Sequence, residues 1–385
     1  MAEDWEHGGF GLYIHWPFCQ AKCPYCDFNS HVVASIDQTA WADAYLSEID
    51  RIGALTQDRV LRSVFFGGGT PSLMDPDVVD AVLTRVRATW PMANDIEITL
   101  EANPTSVEAG RFAGYRQAGV NRVSMGIQAL NDPDLKALGR LHSTTEALKA
   151  FDIARTAFDR VSFDLIYARQ RQSLAEWKSE LTQALALAID HLSLYQLTIE
   201  DGTAFGDRYA AGRLADLPDD DLAADMFEMT QDICGSAGFA GYEISNHAPA
   251  GSESIHNQIY WRYGDYAGIG PGAHGRLTLN GQRYATAAPL APGQWLKQVR
   301  TTANGDGSCD ILDLESQQTE FLLMGLRLTE GVSLARLGLH NNADLLRKIN
   351  MLSDSGFVEV NEDLLKTTRK GRPVLNAVLR ELLDA

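Results

Sequence analysis

From residue 11 to about residue 200, short runs of β-branched and aromatic residues alternate with longer stretches whose apolar positions recur at helical spacing. The strand-like runs fall at residues 11–16, 60–66, 95–100, 122–127, 160–167 and 191–199. Amphipathic helices are expected between them at residues 39–52, 76–88, 106–118, 144–156 and 174–188. Strand and helix repeated in this way predict a parallel sheet covered by helices. Six βα units with a single outer layer favour an α/β fold built as a partial (β/α)6 TIM-like barrel. A doubly wound open sheet is the competing layout.

The pattern then changes twice. Residues 201–315 read as irregular, with Gly and aromatic residues concentrated in GYEISNHAPAGSESIHNQIYWRYGDYAGIGPGAHG, and are expected to extend the barrel and close one side of a pocket. Residues 316–385 read as two helices, the strand SGFVEV, a turn at NED, the strand LLKTT and a last helix. This is the order of a small winged-helix-like α+β domain. The expected domains are therefore 1–200, 201–315 and 316–385. The last carries nine Lys/Arg and nine Asp/Glu, so its basic cluster Lys366, Arg369, Lys370 and Arg372 is a weak DNA signal, and an interaction or structural role is preferred.

Composition narrows the partners. A net charge of −18 over 385 residues repels phosphate backbones, so nucleic acid is not an expected partner. The opening MAEDWEHGGF has no apolar core of a signal peptide, and no run approaches the ~18 apolar residues of a membrane helix. A cytoplasmic location is the resulting expectation. Of five cysteines, Cys19, Cys23 and Cys26 lie within eight positions, while Cys234 and Cys309 stand alone. An odd, clustered set argues for a metal or cluster site in a reducing compartment rather than for a disulfide framework.

The cluster is CQAKCPYC, a C-x3-C-x2-C loop directly after the first strand. Three thiolates on one loop can hold three corners of a cubane and leave a fourth iron open to a small molecule. Structural zinc, with His15 or His31 as fourth ligand, is the plainer alternative, but zinc sites usually join two separated pairs and no second pair is present.

At these residues the chain resembles a known family. YIHWPFCQAKCPYC is similar to the cluster loop of radical S-adenosylmethionine (SAM) proteins of the coproporphyrinogen dehydrogenase group, and further family motifs follow in order along nearly the whole chain. The resemblance implies a radical SAM barrel in which Cys19, Cys23 and Cys26 hold a 4Fe–4S cluster. The open iron would chelate SAM, and an electron from the cluster would cleave it to methionine and a 5′-deoxyadenosyl radical. FFGGGTP, residues 65–71, implies Gly68, Gly69 and Thr70 at the methionyl end of SAM. Glu101 in LEANP, Gln128 in SMGIQ, Arg140 in LGRLH and Asp164 in FDLIY match the family's other SAM contacts. Tyr13, Tyr25, Thr198 and His274 occupy contact positions too.

Within the family, the chain is similar to the heme-chaperone branch. The dehydrogenase has a fourth cysteine two residues after the third, where this chain has Phe28, and a long N-terminal extension, where this chain has ten residues before its first strand. HNQIYW, residues 256–261, matches that branch's H-N-x-x-Y-W signature. Its imidazole, phenol and aromatic faces suit a ferric macrocycle, which makes His256 and Tyr260 candidate heme residues; a turn with a packed Tyr–Trp pair is the alternative. The resemblance implies heme as cargo and acceptor hemoproteins such as respiratory cytochromes. It further implies an electron donor of the flavodoxin or ferredoxin kind, with transient membrane association during delivery. Two enzymatic alternatives stand beside it: oxygen-independent coproporphyrinogen III dehydrogenation, and radical modification of heme. In one place the chain departs from the family, where a GLP-containing turn after DLIY is replaced by ARQRQ, residues 168–172, bringing two arginines near the pocket.

Overall fold

Phe10–Trp16 (β1) is apolar and buried at nearly every position, as a strand covered on both faces must be. In the computed structural model, which describes residues 4–338 and 343–383 without the side chains of Ser106 and Val107, β1 begins a run of six parallel strands. The others are Leu61–Gly68 (β2), Met92–Ala102 (β3), Arg122–Gln128 (β4), Arg160–Tyr167 (β5) and His191–Gln196 (β6). Each lies beside its predecessor in sequence. A doubly wound sheet reverses its order at a switch point, and none occurs along this run. Right-handed crossovers that all step the same way put their helices on one face, which is how a barrel wall forms.

The covering helices are Gln38–Leu55 (α1), Pro76–Thr89 (α2), Phe112–Ala118 (α3), Thr144–Ala157 (α4) and Leu174–Leu187 (α5), and α1 to α4 pack side by side. Ser143 with Glu146, and Ser173 with Glu176, form reciprocal capping boxes that start α4 and α5. A cap of this kind contributes about 1 kcal/mol. The single helix expected at 106–118 is instead two, Ser106–Ala109 and α3. Gly110 sits in the break, and Glu108 is drawn inward to Ser72 and to the Asn103 N–H.

Residues 201–315 are more regular than their composition implied. Asp220–Ser236 (α6) is a 17-residue helix whose first turn is capped by Asp219. Its three successive aspartates, 219–221, sit at the N-terminus, where negative charge favours the helix dipole. Ala240–Gly241 (β7) and Asn246–Ala248 (β8) continue the sheet antiparallel beyond β6. After Ile255–Trp261 (α7), Asp265–Ile269 (β9) pairs parallel to β1. His274–Leu279 (β10), Gln282–Ala287 (β11) and Ser308–Ile311 (β12) extend that edge, with Pro292–Thr302 (α8) between the last two. The result is one 12-stranded mixed sheet whose parallel centre is the partial barrel.

The C-terminal unit has its own apolar core. Leu314–Gly325 (α9), Ala343–Asp354 (α10) and Leu375–Leu383 (α11) surround a small sheet of Val332–Ser333 (β13), Val358–Asn361 (β14) and Leu364–Thr367 (β15), in the order β13-β15-β14. Leu322, Ile349, Leu365 and Leu379 are central, and Tyr263 from the barrel side joins them. This is a winged-helix-like arrangement.

Candidate functional site

Parallel strands that all step one way bring their C-terminal ends to one rim, and loops there carry the chemistry. The cysteine loop leaves β1 through Pro17 and closes on itself where Phe18–Cys19 pairs with His31–Val32. Asn29 ties the loop down, donating to the carbonyls of Pro271 and Leu290 at 2.9 Å each. His15 Nε2 lies 2.9 Å from the Asn29 carbonyl and His31 Nε2 lies 3.1 Å from its Oδ1. Both histidines therefore face Asn29 rather than the thiols. Gly69 donates to Trp16 O and Thr70 to Phe18 O, clamping the glycine turn of β2 against the loop. A Cβ on Gly69 would lie 2.7 Å from Phe18 O, so glycine is required there by packing as much as by any ligand.

Cys19, Cys23 and Cys26 line one cavity of about 140 Å³. Among the described residues no three His, Cys, Asp or Glu side chains form a group that could hold one metal ion. The thiols instead spread around the cavity wall, each near a donor or another thiol. Thr70 Oγ1 donates to Cys19 Sγ at 3.3 Å, and Arg140 Nη1 donates to Cys23 Sγ at 3.4 Å. Burial raises the pKa values of Cys19 and Cys26, while Thr70 pulls Cys19 the other way. Burial also opposes the charge on Arg140, but Tyr25 and Cys23 outweigh it and raise its pKa. A donor set of three sulfurs with a guanidinium beside them fits an anionic iron–sulfur cluster. Cys234 is buried in α6, its thiol pushed up to about 12 by desolvation, and Cys309 is exposed on β12.

The same cavity is lined by Gly68, Gly69, Thr70, Glu101, Gln128, Arg140, Asp164 and Tyr25. Gln128 ends β4 with φ at 75°, a left-handed conformation rare outside glycine, and its Oε1 is buried without a partner. The Arg140 Nε is likewise buried and unpartnered. A strained backbone at Gln128 and orphaned polar atoms on Gln128 and Arg140 make this cavity a candidate ligand site. Glu101 accepts from the Gly68 N–H at 3.3 Å. Burial, aided by the nearby Asp164, pushes the Glu101 carboxyl up to about 8, and burial pushes Asp164 up to about 6. Tyr13 and His274 lie on an adjoining cavity of about 300 Å³ that shares Gly68 and Glu101. Thr198 lies on a third, of about 900 Å³, which shares Glu101, Gln128 and Asp164 with the first. Phe28 is 60% exposed and borders all three.

HNQIYW is neither a turn nor an open ligand pair. It forms α7, whose start is held by Glu97: the carboxylate accepts from Ser254 Oγ at 3.1 Å and from the N–H groups of Ile255 and His256 at 3.2 Å each. His256 and Tyr260 share a helix face at i, i+4, and His256 Nε2 lies 3.1 Å from the Tyr260 hydroxyl. The other ring nitrogen lies 2.8 Å from Ser63 Oγ, and the ring stacks on Phe65 at 4.7 Å. Burial lowers the His256 pKa to about 3, so the ring is neutral. Tyr260 borders the 300 Å³ cavity, and His256 and Tyr260 both line another of about 210 Å³.

The arginines of ARQRQ turn away from the pocket. Arg169 is buried against Asp134 and Glu180, at 2.6 Å each, and Arg171 pairs with Asp216. The expectation that they approach the site is corrected by these ion pairs, and neither arginine lines the cavities of the site. Sequence reading also passed over Asn29 and Asn103, the latter accepting from Arg140 at 2.6 Å and donating to Thr70 at 3.2 Å. Asn103 stands inside LEANP and Asn29 three residues after Cys26, and that adjacency was the available signal.

Comparison with known proteins agrees with this geometry. Residues 13–179 match the Radical SAM superfamily and residues 312–374 match the HemN C-terminal domain. The chain is 38% identical over 384 residues to the mitochondrial radical S-adenosyl methionine domain-containing protein 1 of Mus musculus, covering 97% of this chain and 87% of the mouse protein. It is 38% identical over 380 residues to the heme chaperone HemW of Escherichia coli (strain K12), covering 97% of each. To the heme chaperone HemW of Mycobacterium tuberculosis (strain H37Rv) it is 36% identical over 382 residues, covering 97% of this chain and 95% of that protein. The solved coproporphyrinogen III oxidase (HemN) of Escherichia coli, described as a radical SAM enzyme, superimposes with a TM-score of 0.82 at 21% identity, over 100% of this chain and 92% of that one, a likeness of fold.

Proposed function

The chain belongs to the radical SAM family that includes the heme chaperone HemW and the mitochondrial radical S-adenosyl methionine domain-containing protein 1, and on that footing we propose that it binds heme beside a SAM-ligated 4Fe–4S cluster and passes the heme to acceptor hemoproteins. The observation that carries this reading is the meeting, at one rim, of three cysteines, the orphaned atoms of Gln128 and Arg140, and an adjoining cavity of about 900 Å³. That volume lies within the roughly 300–1,000 Å³ of pockets that bury a substantial organic ligand.

Cys19, Cys23 and Cys26 would hold the cluster, with Thr70 and Arg140 donating to the sulfurs. When bound, a 4Fe–4S cluster supplies an iron open to SAM and an electron for its reduction. Glu101, Gln128 and Asp164 present acceptors to SAM's hydroxyl and ammonium groups, and the turn at Gly68 and Gly69 admits its methionyl end. Tyr13, Tyr25, Thr198 and His274 border the adjoining space. His256, with both ring nitrogens engaged, orients Tyr260, and the pair lines a cavity of about 210 Å³ beside the one of about 900 Å³, from which it would act on a macrocycle through neighbouring residues. The reading places the protein in a reducing cytoplasm, where an electron donor of the flavodoxin or ferredoxin kind can reach it. Delivery then involves passing contact with a membrane; among the described residues no helix is long and apolar enough to cross one.

The deciding experiment is anaerobic reconstitution of the full chain, followed by incubation with SAM, a reductant and either hemin or coproporphyrinogen III. Heme bound and returned intact, with no decarboxylated product, is expected. Protoporphyrinogen IX formed over many turnovers would replace the chaperone reading with the dehydrogenase.

A further inference from the structure

The cavity of about 900 Å³ lies between the β6 side of the barrel and the C-terminal unit. At one end it borders Cys26, Glu101 and Asp164, the site already described. The remainder is different in character. Ile166, Leu197, Phe227, Ile244, Val374 and Leu375 give it apolar patches among polar and acidic residues, Asp27, Glu200 and Asp220 included, and Arg327 and Arg372 are the cations that line it.

Arg372 follows β15 in a short turn, with Pro373 next in sequence. Its Nη1 reaches the Arg327 carbonyl at 3.4 Å, while Nη2 is buried without any hydrogen-bond partner. Glu243 attracts it from a distance but is committed elsewhere, accepting from Ser245 N–H and Asn246 Nδ2 at 2.7 Å each. Burial outweighs that attraction and lowers the Arg372 pKa. Arg327 is held with its guanidinium 5.2 Å from the centroid of the Trp261 ring, the last residue of HNQIYW. The signature helix thus reaches a residue of the large cavity, Arg327, through its tryptophan.

A buried guanidinium with a free N–H edge is costly unless an anion completes it, and its fork matches a carboxylate. Arg372, with Arg327 lining the same cavity beside it, matches a flat, largely hydrophobic ligand with carboxylates along one edge. We infer that Arg372 and Arg327 form the carboxylate-binding end of the heme site, gripping the propionates while the apolar patches cover the macrocycle. This rests on the heme reading above and locates it. Trp261 is then a positioning residue for Arg327.

The test uses the full chain, reconstituted with its cluster, titrated with hemin and with hemin dimethyl ester in dilute non-ionic detergent and followed at the Soret band. Wild type should bind hemin about tenfold or more tightly than the ester, the margin of a charge-assisted hydrogen bond. Arg372→Gln should lower hemin affinity severalfold toward that of the ester, leaving ester and SAM affinities unchanged, and Arg372→Lys should recover part of the loss. Equal affinity of wild type for hemin and ester would remove the carboxylate site while leaving the heme reading in place, and this comparison needs no variant to fold. A fall in SAM affinity with hemin unaffected would reassign Arg372 to SAM. Binding of neither porphyrin by wild type would overturn both readings together.

Discussion

Residue identity decides the site where chemistry is scarce. Cysteine is rare in this chain, so three within eight positions were legible without a fold, whereas single asparagines such as Asn29 and Asn103 carry no such contrast. Cys19→Ala, Cys23→Ala and Cys26→Ala should each remove the broad visible absorption and most of the iron and sulfide, while Cys234→Ala and Cys309→Ala should keep both. Full iron content in Cys23→Ala would end the cluster assignment. Glu101 has a consequence for pH. Its carboxyl is pushed from 4.5 up to about 8 in the fold, so the native state holds the proton more tightly than the unfolded chain. Stability from this group is complete below about 4.5 and is lost as pH rises through about 8, at no more than about 1.4 kcal/mol per pH unit. In SAM-free protein, Glu101→Gln should therefore gain melting temperature over wild type progressively between pH 5 and pH 8. A constant difference across that range would mean the carboxyl is ionised throughout. Among the basic residues near the C-terminus, sequence saw one cluster, but the fold disperses it. Arg369 pairs with Asp232, Lys370 caps Ser355 O, and Arg372 turns inward.

Elements were legible where local signals agreed. β5 spans 160–167 as its alternation implies, and α4 and α5 begin at their capping boxes. Legibility failed where tertiary partners act: Glu108 bends the chain between two short helices, and Glu97 organises α7 from a strand 157 to 159 residues away. The turn after β5 is a third case. Ala168 stands at φ 56° and Arg171 at φ 61°, where the family's glycine would sit without strain. The ion pairs of Arg169 with Asp134 and Glu180 hold the turn in place of that glycine. Ala168→Gly should stabilise the protein by about 1 kcal/mol, since left-handed backbone strains a Cβ by roughly that amount. Chemical denaturation of the two proteins measures it, and a loss of stability would show that unfolded-state freedom dominates there.

At the scale of the whole molecule, the sheet joins distant parts of the chain at one rim, and this was least legible. Strand order within β1–β6 followed from alternation, but the parallel pairing of β9 with β1 joins segments some 250 residues apart, a distance over which hydrophobic period is silent. The same closure fastens the cysteine loop, because both carbonyls that hold Asn29 belong to residues 242 and 261 positions later. A chain made N-terminus first at about 5–20 residues per second needs roughly 13–50 seconds to reach Leu290 after passing Asn29. Throughout that interval the loop that carries the three thiols lacks its tie at Asn29, although every residue that lines its cavity, as far as Asp164, has been made. A cluster loaded before then would sit on a loop not yet pinned at Asn29, its thiols open to oxidants.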